Sequence, residues 1–279
     1  MLGISIKKDI FGIGTIEYKF VSSKDELEQA CCLMYEEYER RGLILAKHYK
    51  TPCRVSLYHA LPGTKVIIAL KDGKVVGTTA IIPDSDLRLP MDTGYKEESE
   101  QIRKTGRKFF EIGYLAISSA LFPRGIFSLF NFSKLEFMFG LFKFVFQYPL
   151  YEAKYDDICI VTDPKLMVFK FIPFKQIGPV KHYGFDYSSI KKKLAVLKIL
   201  DLHQLEADMG IKRIALRKLA LDNKIPKSVL QNSYLMTLED LRYFFVIKSD
   251  VLQKASVKER EYIRLCYGLS VEDFKKILL

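Results

Sequence analysis

The stretch Phe109-Phe110-Glu111-Ile112-Gly113-Tyr114-Leu115-Ala116-Ile117-Ser118 constrains this chain more than any other. Apolar side chains dominate on both sides of Glu111, so the segment reads as a buried strand with one carboxylate set into it. An ionised carboxyl in such surroundings is costly unless it is paired or protonated. Two readings follow. Glu111 is a strand-end residue hydrogen-bonded to a neighbouring loop, or it has a chemical task, the removal of a proton from an amine.

A central strand needs a core around it, and the composition supplies one. Of 279 residues, 49% are hydrophobic and 13% aromatic, which excludes global disorder and suits one large domain or a domain with an appendage. The formal charge of +11 points to an acidic partner, although the excess is spread along the chain without a long basic run. The five cysteines include no Cys-x-x-Cys, so neither a disulfide framework nor a zinc site is indicated. The segment Met1 to Ile10 lacks the long apolar run of a signal peptide, and a reducing, cytoplasmic setting is expected.

The remaining elements arrange themselves around the central strand. Thr15 to Val21 alternates as a strand does. Ser23 then reads as an N-cap, with Glu26 as its capping-box partner, for a helix from Lys24 to Arg41 that stops at Gly42. Leu43 to Pro62 is rich in breakers and reads as a loop lying over a site. Asp72-Gly73, between the apolar runs Thr64 to Leu70 and Val75 to Ile82, is a strong hairpin signal. A polar helix is expected over Lys96 to Gly106. Beyond the central strand come a short strand at Ile158 to Val161, a helix from Pro164 to Ile172, and strands at Lys175 to Tyr183 and Leu194 to Leu200.

From Phe127 to Phe146 there are eight phenylalanines. Lys134, Glu136 and Lys143 interrupt the run, which argues against a transmembrane span. It reads as an apolar helix packed on a sheet, with two further roles open, lining an acyl pocket or touching a membrane surface peripherally. From Leu202 onward the texture is helical, with segments at Leu238 to Val246, Lys258 to Leu265 and Val271 to Leu278. Its charges are nearly balanced, so no nucleic-acid surface is expected. The order predicts a mixed α/β domain over residues 1–201 and a helical extension over 202–279.

Several chemistries lack their signature. There is no phosphate-binding Gly-x-x-x-x-Gly-Lys, no dinucleotide-binding Gly-x-Gly-x-x-Gly and no Gly-x-Ser-x-Gly elbow. His48, His59, His182 and His203 show no metal-binding spacing, and no metal is expected.

In this order of elements the chain resembles the Gcn5-related N-acyltransferase fold, and more closely the Fee-type N-acyl amino acid synthases, relatives of the acyl-homoserine lactone synthases. The resemblance is carried by Leu57-Tyr58-His59-Ala60-Leu61-Pro62, by Lys74-Val75-Val76-Gly77-Thr78 with Pro83-Asp84-Ser85, by Leu89-Pro90-Met91-Asp92 with Arg103-Lys104-Thr105-Gly106-Arg107, and by Glu111 with Leu115-Ala116-Ile117. It runs from about residue 15 to 201. It implies a mixed sheet, flanked by helices, that splays between its fourth and fifth strands to receive a pantetheine arm. Two features depart from the wider fold. Leu166 and Lys170 stand where a histidine and a tyrosine are usual, so a tyrosine acid there is missing. Ser118 to Gly125 does not fit the pyrophosphate-binding loop of the coenzyme A enzymes, which favours an acyl chain on the phosphopantetheine of a carrier protein over coenzyme A.

The resemblance thus implies an N-acyltransferase that moves a long acyl chain from an acyl carrier protein to the amine of an amino acid, with no bound cofactor. Glu111 would be the base. Strand amides at Leu115, Ala116 and Ile117 would bind the thioester oxygen. Tyr38 and Arg41 would meet the amino acid. Arg103, Lys104, Arg107 and Arg124 would hold the phosphate or the acidic carrier. The alternatives are a lactone-synthase-like enzyme and a catalytically idle acyl- or partner-binding module.

Overall fold

A computed structural model of the protein describes residues 5–122, 128–165, 172–184, 192–204, 217 and 221–278, with the backbone alone at 128–131. One eight-stranded sheet runs through it in the order β1-β2-β3-β4-β5-β6-β8-β7. The strands are β1 (Ile6–Ile10), β2 (Gly14–Phe20), β3 (Lys65–Lys71), β4 (Lys74–Pro83), β5 (Phe109–Ile117), β6 (Asp157–Thr162), β7 (Lys175–Tyr183) and β8 (Lys193–Asp201). Each pairing is antiparallel except that of β5 with β6. The Asp72-Gly73 hairpin forms as its sequence predicts, with both residues at positive φ (51° and 76°), the geometry that matches the twist of paired strands.

Helix α1 (Lys24–Arg40) begins where expected, with the Ser23 hydroxyl accepting from the Glu26 N–H at 3.3 Å. The reciprocal half of the box is displaced. The Glu26 carboxylate reaches past Ser23 to the Ser22 N–H at 2.8 Å and to Lys19 at 2.7 Å, tying the helix start to β2. Helix α2 spans Asp92–Lys104 and α3 spans Ser128–Gln147. Among the described residues the C-terminal part forms α4 (Lys227–Leu230), α5 (Leu238–Arg242) continuing as a π-helical turn over Tyr243–Ile247, α6 (Val251–Lys254), α7 (Val257–Cys266) and α8 (Val271–Leu278).

The helices cover both faces of the sheet. One core joins α1, α2 and the C-terminal helices after α4, whose Leu241, Phe244, Phe245, Ile263 and Phe274 are buried with Leu27, Met34 and Tyr95. The other is built on α3, with Phe137, Phe142, Phe144 and Phe146 packed on the opposite face. Helix α3 is thus a core helix. None of the helices described is long and apolar enough to cross a membrane. Its approach to the sheet is close: a Cβ on Gly77 would lie 2.6 Å from the Phe137 ring. Gly77→Ala is therefore expected to destabilise the fold by about 1–3 kcal/mol through overpacking. Urea denaturation measures this, and an unchanged midpoint would mean the ring has room to move.

One described strand departs from the pattern read in the sequence. Strand β1 was not evident there, because Ile6-Lys7-Lys8-Asp9-Ile10 is polar on one face and pairs only at the sheet edge. Leu166, Phe169 and Lys170, in the helix expected from Pro164 to Ile172, lie outside the described residues, as does Arg124. With β1 counted, the expected splay falls between β5 and β6. Their parallel pairing covers Phe109–Asp157, Phe110–Ile158 and Glu111–Cys159, and goes no further.

Candidate active site

Glu111 occupies the last rung before β5 and β6 part. Its side chain is 4% exposed, and one carboxylate oxygen accepts a hydrogen bond from the Met91 N–H at 2.7 Å. That donor stabilises the charged form, but burial dominates, and with the negative charge of Asp92 it pushes the carboxyl up to about 8. Of the two readings of the sequence, the hydrogen bond to a neighbouring loop is present. The residue is also a carboxyl poised near neutrality.

The turn that delivers the Met91 N–H is held by a second carboxylate. Asp92 accepts from the Leu89 N–H at 2.8 Å and from the Ser99 hydroxyl at 2.7 Å. The Arg103 guanidinium grips Asp92 at 2.7 Å and Asp84 at 2.6 and 2.9 Å. Burial alone would raise the Asp92 carboxyl, but these donors outweigh it and hold it below its ordinary range.

Beside Glu111 a cavity of about 1190 Å³ opens on the α1 side of the sheet. Its walls come from the end of α1, the 43–58 loop, the β5 and β6 edges that diverge, residues 182–184 and 192–194, and residues 249–259 of the C-terminal part. The loop read as lying over a site does so. It is clamped there by Lys50 donating to the Val246 carbonyl at 2.9 Å and by Thr51 donating to the Lys248 carbonyl at 2.7 Å.

The predicted site residues separate into groups. Glu111, Leu115, Tyr38 and Arg41 line the cavity together. Ala116 and Ile117 do not, being paired against Thr78 and Gly77 of β4. Arg103 and Arg107, expected at the entrance, are turned to the protein's own acids. Arg103 is bound as described, and Arg107 grips Asp157 at 2.6 and 2.8 Å. Neither they nor Lys104 line the cavity, whose cations among the described residues are Arg40, Arg41, Lys50, Arg54, Lys192, Lys193 and Lys254. No residue of 132–147 lines it either, which corrects the expectation that the phenylalanine-rich helix houses acyl chain there.

Sequence reasoning missed Arg54, Ser56 and Tyr114. Arg54 is buried with its guanidinium 4.8 Å from the Tyr38 ring centre and 5.1 Å from that of Tyr114. Tyr114 sits in a bulge of β5. Gly113 faces Ala80 and Ala116 faces Thr78, so Tyr114 and Leu115 together oppose Thr79. Tyr114 adopts φ of 58°, unusual for a bulky residue. The bulge changes the strand's phase: before it Phe110 and Ile112 face the α3 core, whereas after it Tyr114 and Ala116 face the α1 core. Tyr114 is thereby brought to the face that Glu111 occupies.

The chain is similar to known proteins. The N-acyl amino acid synthase family FeeM fits residues 29–186, more than half of the chain. Among solved structures, FeeM, an N-acyl amino acid synthase from uncultured soil microbes, is similar at 24% identity over 72% of this chain and 97% of that one, with a TM-score of 0.55. The acyl-homoserine lactone synthase LasI is similar at 15% identity over 76% and 96% of the two chains, with a TM-score of 0.49. An N-acetyltransferase from Staphylococcus aureus Mu50 follows at 10% identity over 67% and 98%, with a TM-score of 0.40. No curated protein sequence matches the chain significantly. With a buried carboxylate at the parting of two parallel strands and a family match across that region, the chain belongs to the FeeM family of N-acyl amino acid synthases.

Proposed function

We propose that this enzyme transfers a long acyl chain from the phosphopantetheine thioester of an acyl carrier protein to the amine of an amino acid, with Glu111 as general base. The reading rests on one observation. A carboxyl raised to about 8 stands in the wall of a large cavity, where the sheet opens and a thioester arm has room to enter.

The chemistry follows from that placement. An amino acid arrives as an ammonium ion, whose nitrogen has no lone pair for attack. Glu111 in its ionised form takes a proton from it, directly or through water. The freed amine attacks the thioester carbonyl, and the oxygen gains negative charge. Backbone amides along the Ile112 to Leu115 edge of β5, which among the described residues no strand covers on the β6 side beyond Glu111, suit that oxygen. Of the three amides expected from the sequence, Leu115 lies at the cavity. Arg41, with Arg54 as an addition, suits the amino acid's carboxylate. The lysines and arginines around the cavity suit one phosphate and an acidic carrier surface.

Purified protein incubated with a long-chain acyl carrier protein thioester and the mixed standard amino acids is expected to yield an N-acyl amino acid, identified by mass. The same incubation with acyl-coenzyme A is expected to be much slower. Faster turnover with acyl-coenzyme A would reverse the donor assignment, and no N-acyl product from either donor would remove the reading.

A further inference from the structure

We propose that the C-terminal segment Ser249–Glu259 selects the acceptor amino acid by the size of its side chain, with Val251 and Ala255 as the specificity-determining residues. The inference rests on the proposed acyl transfer and names what shapes its acceptor site.

The first observation is the course of the segment. Just before it, the Val246 carbonyl accepts from Lys50 and the Lys248 carbonyl from Thr51, which fixes the chain to the 43–58 loop. At its far end, Ser256 and Glu259 share a small cleft with Asp86, Leu87 and Arg88, and Tyr262 is hydrogen-bonded to Ser85. The loop of Ser85 to Arg88 leads into the turn whose Met91 N–H holds Glu111. The segment thus runs between two loops that border the same cavity as Glu111. In the proposed reaction the thioester arm uses the gap between β5 and β6. What the segment walls is the space left for the amine.

The second is which side chains it presents. Ser249, Asp250, Val251, Lys254, Ala255 and Glu259 line the cavity, whereas Leu252 is buried in the core shared with α1. Val251 and Lys254 are three residues apart and share a face of α6, and Ala255 follows at the end of that helix. Ala255 is itself buried and contributes only a methyl, so a longer side chain there would occupy cavity volume.

The third is charge. Lys254 pairs with Asp250 at 2.7 Å, and Glu259 accepts from the Ser256 N–H at 2.7 Å as the cap of α7. Each charge on this wall has a local partner, so what the wall offers a ligand is shape. The other cavity cations among the described residues come from α1, the 43–58 loop and residues 192–193. An amino acid's carboxylate belongs with those cations, which leaves its side chain to the uncharged surface of Val251 and Ala255.

The segment also lies outside the part shared with the family. The FeeM family fits residues 29–186, and the FeeM structure is covered at 97% while this chain is covered at 72%. A wall added beyond the shared part can set the acceptor without disturbing Glu111.

Acceptor competition tests this. Wild type, Ala255→Phe, Ala255→Gly and Lys254→Glu each receive the long-chain acyl carrier protein thioester and the standard amino acids at equal concentration. Products are resolved by mass and compared as ratios, so a partly unfolded variant still reports. Ala255→Phe is expected to lower the products of large amino acids about tenfold or more relative to those of glycine and alanine, and Ala255→Gly to shift the ratio the other way. The Lys254 side chain is 63% exposed, and Lys254→Glu leaves Asp250 unpaired beside a second carboxylate. N-acyl lysine and N-acyl arginine should then rise about tenfold relative to the uncharged products. One product distribution common to wild type and all the variants would overturn the inference, as would variants that keep the wild-type melting curve and acylate nothing. A changed preference between short and long acyl donors at an unchanged acceptor ratio would overturn it too, because the wall would then serve the donor. A wild type that acylates nothing would remove the acyl-transfer reading itself.

Discussion

Replacing Glu111 with glutamine is expected to cut turnover by about a hundredfold or more and, at pH 8, to make the protein more stable. The two effects have one origin. The Glu111 carboxyl has an ordinary value of 4.5 in the unfolded chain and about 8 in the fold, because burial disfavours its charge. Below pH 4.5 both states hold the proton and the residue is neutral to stability. Between 4.5 and 8 the unfolded chain releases the proton and the folded chain keeps it, so stability falls as pH rises. The loss is complete above the folded value, and the size of the shift bounds it at about 3–5 kcal/mol. Glutamine carries no charge and can still accept from the Met91 N–H, so the variant escapes this loss. Its stability advantage over wild type should be small near pH 4.5 and open steadily towards pH 8, as read by denaturant titration at several pH values. The wild-type kcat/KM should climb over the same interval as the carboxylate forms. A variant with wild-type turnover would take the base role from Glu111. A stability difference that does not change with pH would mean that the carboxyl is already ionised in the fold.

Much of this architecture was legible because its signals are local. Asp72-Gly73 announces its hairpin within two residues, Ser23 starts α1, and Gly42 ends it. The suspicion about Glu111 was also local, since a carboxylate amid apolar strand residues needs an explanation. What escaped depends on register. That Glu111 is the last residue of β5 paired with β6 is a property of two strands some 50 residues apart, and nothing near Glu111 encodes it. The bulge was hidden for a different reason. Strand β5 is buried on both faces, so its side chains are apolar almost throughout and carry no alternation from which a change of phase at Tyr114 is readable. Charge was misplaced in the same way. Arg103 and Arg107 flank the central strand in sequence and look available, but their partners Asp84 and Asp157 lie 19 and 50 positions away. The C-terminal helices offered no chemical motif, although residues 249–259 form part of the cavity wall.

Arg103 therefore separates two roles that the sequence could not distinguish. Its side chain is 13% exposed and it bridges Asp84, Asp92 and Glu100. Arg103→Ala would leave two half-buried carboxylates facing each other without their shared cation, a loss of about 3–5 kcal/mol. The consequence should reach Glu111 by two routes. Asp92 anchors the turn whose Met91 N–H stabilises the Glu111 charge, and its own negative charge, no longer offset by Arg103, would push the Glu111 carboxyl higher still. The rising limb of the wild-type rate profile should accordingly move to higher pH in the variant, beside a lowered melting temperature. Arg103→Lys should recover little of either, since a single ammonium cannot reproduce the forked contacts to both carboxylates. A docking residue would behave in the opposite way: the KM for the acyl carrier donor would rise steeply with salt-sensitive binding, while the melting temperature and the pH profile stayed where they were. That second pattern would return Arg103 to the carrier-binding surface and leave the Met91 turn to be held by Asp92 and Ser99 alone.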